Sequence, residues 1–223
     1  MTDRDTGDRA GDVGRDTGDR AGGVGRDTVR ALDRRAVLRS AEIVAQVQGD
    51  QWDAPTPCGD WTLRRLLAHM TAQHLGFAAA AEGTSADPAV WREHPLDDPG
   101  RAYAESVERV LGAFAADGVL DRAFVLPEIH PRATFAAPRA IGFHFVDYVV
   151  HGWDVAAALG IPAEYDDDLV AGAAEVAVRE VPLGPSRERP GAGFRAPFEL
   201  TGHASAEDRL LAFLGRDPRW SPQ

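Results

Sequence analysis

Four side chains with chemistry to offer fall on one stripe of a single segment: His144, Asp147, Tyr148 and His151 stand at i, i+3, i+4 and i+7. At 3.6 residues per turn, this spacing aligns them along one face of a helix. Asp147 and His151, one turn apart, have the reach to share a divalent ion through a carboxylate oxygen and an imidazole nitrogen. The same pair can form a hydrogen-bonded network at the mouth of a core, because a carboxylate stabilises a neighbouring imidazolium with no metal present. Spacing alone favours that second arrangement. Beside a bound substrate, the two groups can also act as acid and base.

The segment carrying them reads as one long helix over 138–159. Pro138 suits a first helical turn, Gly160 suits the position after the last, and Pro162 prevents resumption. Gly142 and Gly152 lie in its interior, where each is disfavoured by about 1 kcal/mol relative to Ala. A neighbour therefore needs that space, either a closely approaching helix or a bulky ligand. A second helix is expected over 61–82, with Asp60 as its N-cap. Its apolar stripe of Leu63, Leu67 and Met70 is centred nearer His74, and His69 lies at the edge beside Leu66. On periodicity, either histidine is a candidate to face the first pair across a bundle.

Apolar periodicity places further helices over 29–48, 100–116 and 167–181. The stretch 117–137, broken by Pro127 and Pro131, reads as a loop able to lie over a pocket. Phe198 to Thr201 suggests a short strand, and Ser205 with Asp208 suggests a capped last helix ended by Gly215. The expected fold is all-α: an antiparallel four-helix bundle over 28–181, followed by a linker and a short C-terminal α+β extension over 182–223. Residues 5–15 recur almost unchanged as 16–26 in Gly, Asp and Arg. Such a segment buries too little apolar surface to offset its ordering entropy, so 1–27 is expected to be a disordered tail.

Composition excludes several function classes. The formal charge is −11 and all 24 basic residues are Arg, with no basic patch apparent, which argues against a nucleic-acid partner. No apolar run is long enough to span a bilayer and the N-terminus lacks a signal-peptide pattern, so a soluble, cytoplasmic protein without a membrane partner is expected. The single cysteine, Cys58, rules out an internal disulfide and a Cys-rich zinc finger. It sits in a Pro-Cys-Gly turn with no histidine near it in sequence and reads as a buried structural thiol. Trp61 and Trp153 read as core residues. Asp154, one turn beyond His151, is placed to hold an imidazole or a neighbouring Arg. His94, His130 and His203 have no partner at diagnostic spacing.

Two blocks of this chain resemble a known family. Thr56 to Met70 (TPCGDWTLRRLLAHM) and Asp147 to Gly160 (DYVVHGWDVAAALG) look like the signatures of the actinobacterial mycothiol-dependent maleylpyruvate isomerase N-terminal-domain proteins, which are DinB-like helical bundles. The tail Asp208 to Trp220 (DRLLAFLGRDPRW) resembles the closing motif of a short branch of that group. The resemblance implies a divalent metal, zinc first with nickel, iron or manganese as alternatives, held by His69, Asp147 and His151. The characterised isomerase has Glu where Asp147 stands, and His144 is the residue able to compensate for the shorter side chain. It further implies mycothiol as co-substrate in a metal-dependent thiol transferase or isomerase acting on a small electrophilic metabolite. Two other readings stay open: a non-enzymatic bundle that binds a metal or small ligand, and a metal-independent enzyme of natural-product biosynthesis using Asp147 and His151 as acid and base. A monomer or homodimer is expected.

Overall fold

In a computed structural model, residues 25–189 and 193–222 are described. Residues 1–24 of the expected tail lie outside them, and the first helix, α1 (Arg26–Val44), begins inside the last residues assigned to that tail. Val29, Leu32, Ala36, Val37, Ile43 and Val44 form its buried stripe, and the polar Asp33 and Ser40 lie on the same stripe.

α2 (Leu63–Glu82) starts later than expected, and its N-cap is Thr62, whose side chain accepts from the amide of Arg65. Asp60 does not serve. Thr62 pairs with Pro55 in an isolated bridge and the Leu63 amide donates to Ala54 O at 2.9 Å, so the chain stays extended through Thr62. Gly83 ends the helix in the left-handed conformation. α3 (Pro99–Ala115) is capped by Asp98, and α4 (Ala137–Leu159) runs to a left-handed Gly160, close to the bounds read from the sequence. α5 (Asp167–Glu180) and α6 (Ala206–Phe213) follow, α6 opening on the reciprocal Ser205 and Asp208 capping box.

The chain is mostly helical, as expected, and the described residues add one small two-stranded sheet that the sequence reading did not foresee. β1 (Ala123–Val125) pairs antiparallel with β2 (Thr134–Ala136) inside the stretch expected to be loop, with Phe124 opposite Phe135. Phe124 is fully buried, and an aromatic pair directly across two strands favours this register. No strand forms at 198–201: the Phe198 amide donates instead to Ala212 O at the end of α6, and no neighbouring strand is there to pair.

α1 lies along α4 and α2 along α3, while α1 also touches α3 and α2 touches α4; α5 covers α4 and α1, and α6 packs on α5. Close approach explains the interior glycines of α4. A Cβ at Gly152 would lie 2.4 Å from the Tyr165 hydroxyl and 3.3 Å from Ser40 Cβ, and one at Gly142 would lie 3.3 Å from Val176. Side chains such as Leu66, Ile141, Phe145 and Val149 fill the interior at 0–1% exposure, each contributing roughly 1.5–3 kcal/mol by leaving water. Among the described residues, no helix is long and apolar enough to cross a membrane.

Candidate metal centre

The packing of α2 against α4 brings His69, Asp147 and His151 together. One donor atom from each lies within 4.8 Å of the other two, and the His69 and His151 rings are 5.3 Å apart, edge to face. His151 is buried, whereas His69 and Asp147 are partly exposed to a cavity of about 700 Å³. The wheel position of His69 at the edge of the apolar stripe therefore puts it at the cavity wall. His74, at the centre of the stripe, is fully buried in the core, its Nδ1 2.8 Å from Ser106 Oγ and its ring stacked 4.0 Å from that of Tyr148.

His144 does not join the group, which corrects its expected role as a compensating ligand. It is fully buried and its Nδ1 lies 2.6 Å from Asp33 of α1, two turns of α4 away from His151. Burial pushes the Asp33 carboxyl up, an effect only partly offset by His144. A charged residue on the apolar stripe of α1 was the one sequence signal for this pair. His94, His130 and His203 are exposed.

Each clustered imidazole is held from behind by a carboxylate. His69 Nδ1 lies 3.0 Å from Glu93, and His151 Nδ1 lies 2.9 Å from Asp154. Burial disfavours the charged form of His69, but Glu93, Asp147 and Glu128 outweigh it and raise its pKa. Glu93 is drawn below the ordinary carboxylate range chiefly by the His69 hydrogen bond, so an ionised carboxylate accepts from Nδ1. Asp154 is fully buried; burial alone would push it up, yet Arg216 and His151 hold it well below its usual value. With both Nδ1 protons engaged in this way, the lone pairs of the neutral rings lie on Nε2, the tautomer carboxylate partners enforce at metal-binding histidines.

His151 Nε2 then faces Asp147 Oδ1 at 3.5 Å. A lone pair and a carboxylate facing one another at that separation repel, and either a proton or a metal ion between them removes the repulsion. A proton needs two groups; here a third donor, His69, is within reach. Two imidazoles and one carboxylate are a donor set suited to zinc, nickel, iron or manganese, and three protein ligands leave a position open. The residues fit a divalent ion.

Two expectations are revised around this centre. Cys58 is not sequestered: it is half-buried on the cavity wall, donating to Asp154 Oδ2 at 3.0 Å with its sulfur 3.9 Å from His151 Nδ1. Burial and the Asp154 charge push its thiol pKa up, so it is a poor nucleophile. Trp61 also lines the cavity, its ring 5.1 Å from that of His69 and beneath the Arg65 guanidinium, whereas Trp153 is buried as expected. Glu93 carried no sequence signal, because it lies in a Pro-rich connection with no periodicity. Arg216 was visible only as part of the closing block.

The chain is similar to known proteins over most of its length. Over 194 residues it is 29% identical to the uncharacterized proteins Rv0738 of Mycobacterium tuberculosis strain H37Rv and MT0763 of strain CDC 1551, covering 83% of this chain and 96% of each relative. No solved structure matches. Residues 34–156, which span α2 and α4 with His69, Asp147 and His151, match the family described as the mycothiol maleylpyruvate isomerase N-terminal domain, and the chain belongs to that family.

Proposed function

We propose that this protein is a metal-dependent enzyme that uses mycothiol as a thiol co-substrate to transfer or isomerise a small electrophilic metabolite, on a DinB-like antiparallel four-helix bundle. The observation that supports the metal most directly is the His151 Nε2 and Asp147 contact at 3.5 Å, with the opposite ring nitrogen already committed to Asp154 and His69 in reach. Family membership supports the thiol's identity.

His69, Asp147 and His151 would hold the ion. A divalent cation there supplies the positive charge that keeps a bound thiol deprotonated at neutral pH. The chain's own residues do the rest. Glu93 and Asp154 aim the two imidazoles, while Trp61, Phe143 and Phe194 supply apolar wall that excludes water from a cavity large enough for two small molecules. The thiolate adds to an activated carbon–carbon double bond of the metabolite, breaking its π bond, and the electron pair passes to the adjacent carbon. That carbon takes up the proton the thiol gave up if the adduct is to leave, or keeps the pair until the thiolate is expelled after rotation about the new single bond. Release of the adduct completes a transfer, and breaking the new carbon–sulfur bond returns the thiol and leaves an isomer.

A second reading, in which Asp147 and His151 share a proton and act as acid and base, is favoured by the same 3.5 Å contact. Elemental analysis of the wild type, His69→Ala and His151→Ala, followed by assay of thiol conjugation with mycothiol, tests both. Metal in the wild type, none in either variant, and turnover that follows the metal is the expected result. Full turnover by chelator-stripped protein overturns the metal reading in favour of the acid–base pair, and stoichiometric metal without turnover of any electrophile reduces the protein to a binding bundle.

A further inference from the structure

The most heavily bonded group behind the candidate centre comes from outside the matched domain. Arg216 follows α6 in the C-terminal segment, yet it is only 6% exposed and reaches Asp154 of α4 through two bonds, Nε to Oδ1 at 3.2 Å and Nη2 to Oδ2 at 2.9 Å. The same Nη2 lies 3.7 Å from Cys58 Sγ, and Nη1 donates to Leu214 O at 3.4 Å.

The sequence explains how the segment delivers it. Gly215 closes α6 in the left-handed conformation (φ 79°), with the Arg216 amide donating to Leu211 O at 2.9 Å and the Gly215 amide to Ala212 O at 3.0 Å. This is a glycine-ended helix stop that reverses the chain toward the helix it has just left. A Cβ at Gly215 would also lie 2.7 Å from Arg195 O, so both conformation and space require glycine. Leu210, Leu211 and Leu214, all at 0–2% exposure, anchor the helix that carries the turn.

We infer that Arg216 is a positioning residue for the candidate metal centre, so that docking of the C-terminal segment and occupation of the centre by a metal favour one another. The inference rests on the reading of His69, Asp147 and His151 as ligands. Asp154 has two oxygens and one orientation in which it accepts from His151 Nδ1, and the planar guanidinium grips both oxygens at once and fixes that orientation. Without the fork, Asp154 Oδ1 loses its Arg216 bond and Oδ2 keeps only the Cys58 thiol beside His151, so the ring it holds is less firmly oriented. Because coupling between two binding events is reciprocal, an ion at His151 must in turn strengthen the hold on residues 206–216.

The test uses the full chain as wild type, Arg216→Gln and Arg216→Lys. Cobalt(II) affinity is measured by chelator competition, folding by thermal melting, and protection of 206–214 by hydrogen exchange with and without cobalt. The Gln variant is expected to bind cobalt about 10–100-fold more weakly, the range typical for groups that orient metal ligands. The Lys variant, which keeps the buried charge but not the fork, should fall between. Cobalt should slow exchange in 206–214 of the wild type and not of the Gln variant. Should the Gln variant fail to fold, the Lys variant decides: affinity within twofold of wild type overturns the inference, as does the absence of any cobalt effect on 206–214. A wild type that takes up no cobalt sinks the metal reading instead. The His151 ring-nitrogen shifts of the apo protein then judge Arg216: a mixture of tautomers in the variant supports its positioning role, and the unchanged Nδ1–H tautomer refutes it.

Discussion

His151 meets a different carboxylate with each ring nitrogen: Nδ1 lies 2.9 Å from Asp154 and Nε2 lies 3.5 Å from Asp147. The two acids therefore have separable duties. Asp154, fully buried and neutralised by Arg216, orients the ring; Asp147, a quarter exposed on the cavity side, faces the ring's lone pair. Asp147→Asn keeps the shape and removes the charge, and it is expected to weaken zinc binding by at least roughly tenfold, about 1.4 kcal/mol. Asp147→Glu, one methylene longer, should bind at least as tightly as the wild type. Chelator competition reads both, and equal affinity for the Asn variant would remove Asp147 from the ligand set.

Glu93 gives a second handle on the centre from the opposite side. Its hydrogen bond to His69 draws its own pKa down and helps raise that of His69. Glu93→Gln should lower zinc affinity about tenfold and lower the His69 titration midpoint in the apo protein, measured by ring-proton shifts. Because Glu93 is exposed at the rim, the melting temperature should barely move. An unaltered His69 titration would show that the contact has no energetic consequence.

Core stability should depend on pH through His74. Burial, reinforced by the neighbouring His144, pushes its pKa well below 6.5. In the unfolded chain this ring takes up a proton below 6.5 while the native ring resists it, so the unfolded state binds more protons and stability falls as the pH drops below 6.5. The slope contributed is about 1.4 kcal/mol per pH unit. Above 6.5 both states are neutral and the contribution is flat. Urea midpoints at pH 7, 6 and 5 should show this slope in the wild type and about one proton less of it in His74→Gln; parallel profiles would contradict the assignment.

The helix glycines separate contact from propensity. Gly152→Ala drives a methyl to within 2.4 Å of the Tyr165 hydroxyl, which is itself held by Val149 O, and is expected to destabilise by about 1–3 kcal/mol. Gly112→Ala, on the exposed face of α3, meets nothing within 4 Å and should stabilise by about 0.4–1 kcal/mol. Thermal or urea unfolding of the two variants reads the opposite signs, and a neutral Gly152→Ala would mean that the Tyr165 and Val149 link yields at little cost.

Much of the helical framework was legible because each signal is local. The bounds of α3, α4 and α5 follow from caps, prolines, glycines and a 3.6-residue apolar period within a single stretch of chain. The start of α2 was misread because a pairing between Pro55 and Thr62, seven residues apart, overrode the capping tendency of Asp60. The small sheet was missed for a similar reason: three-residue strands show no period, and the cross-strand Phe124 and Phe135 pair exists only once the hairpin is closed.

The same division runs through the candidate centre. Sequence alone determined that Asp147 and His151 share a helix face, that His69 sits at the edge of another and that His74 sits at the centre of its stripe, since these follow from helical geometry. Tertiary structure alone decided that His144 turns to Asp33, that Glu93 and Arg216 stand behind the two imidazoles, and that Cys58 meets Asp154 across 96 residues of chain. Those contacts join side chains from separate elements, and hydrogen-bond partners at such separations are chosen by which surfaces pack together, a property that no spacing within one segment encodes.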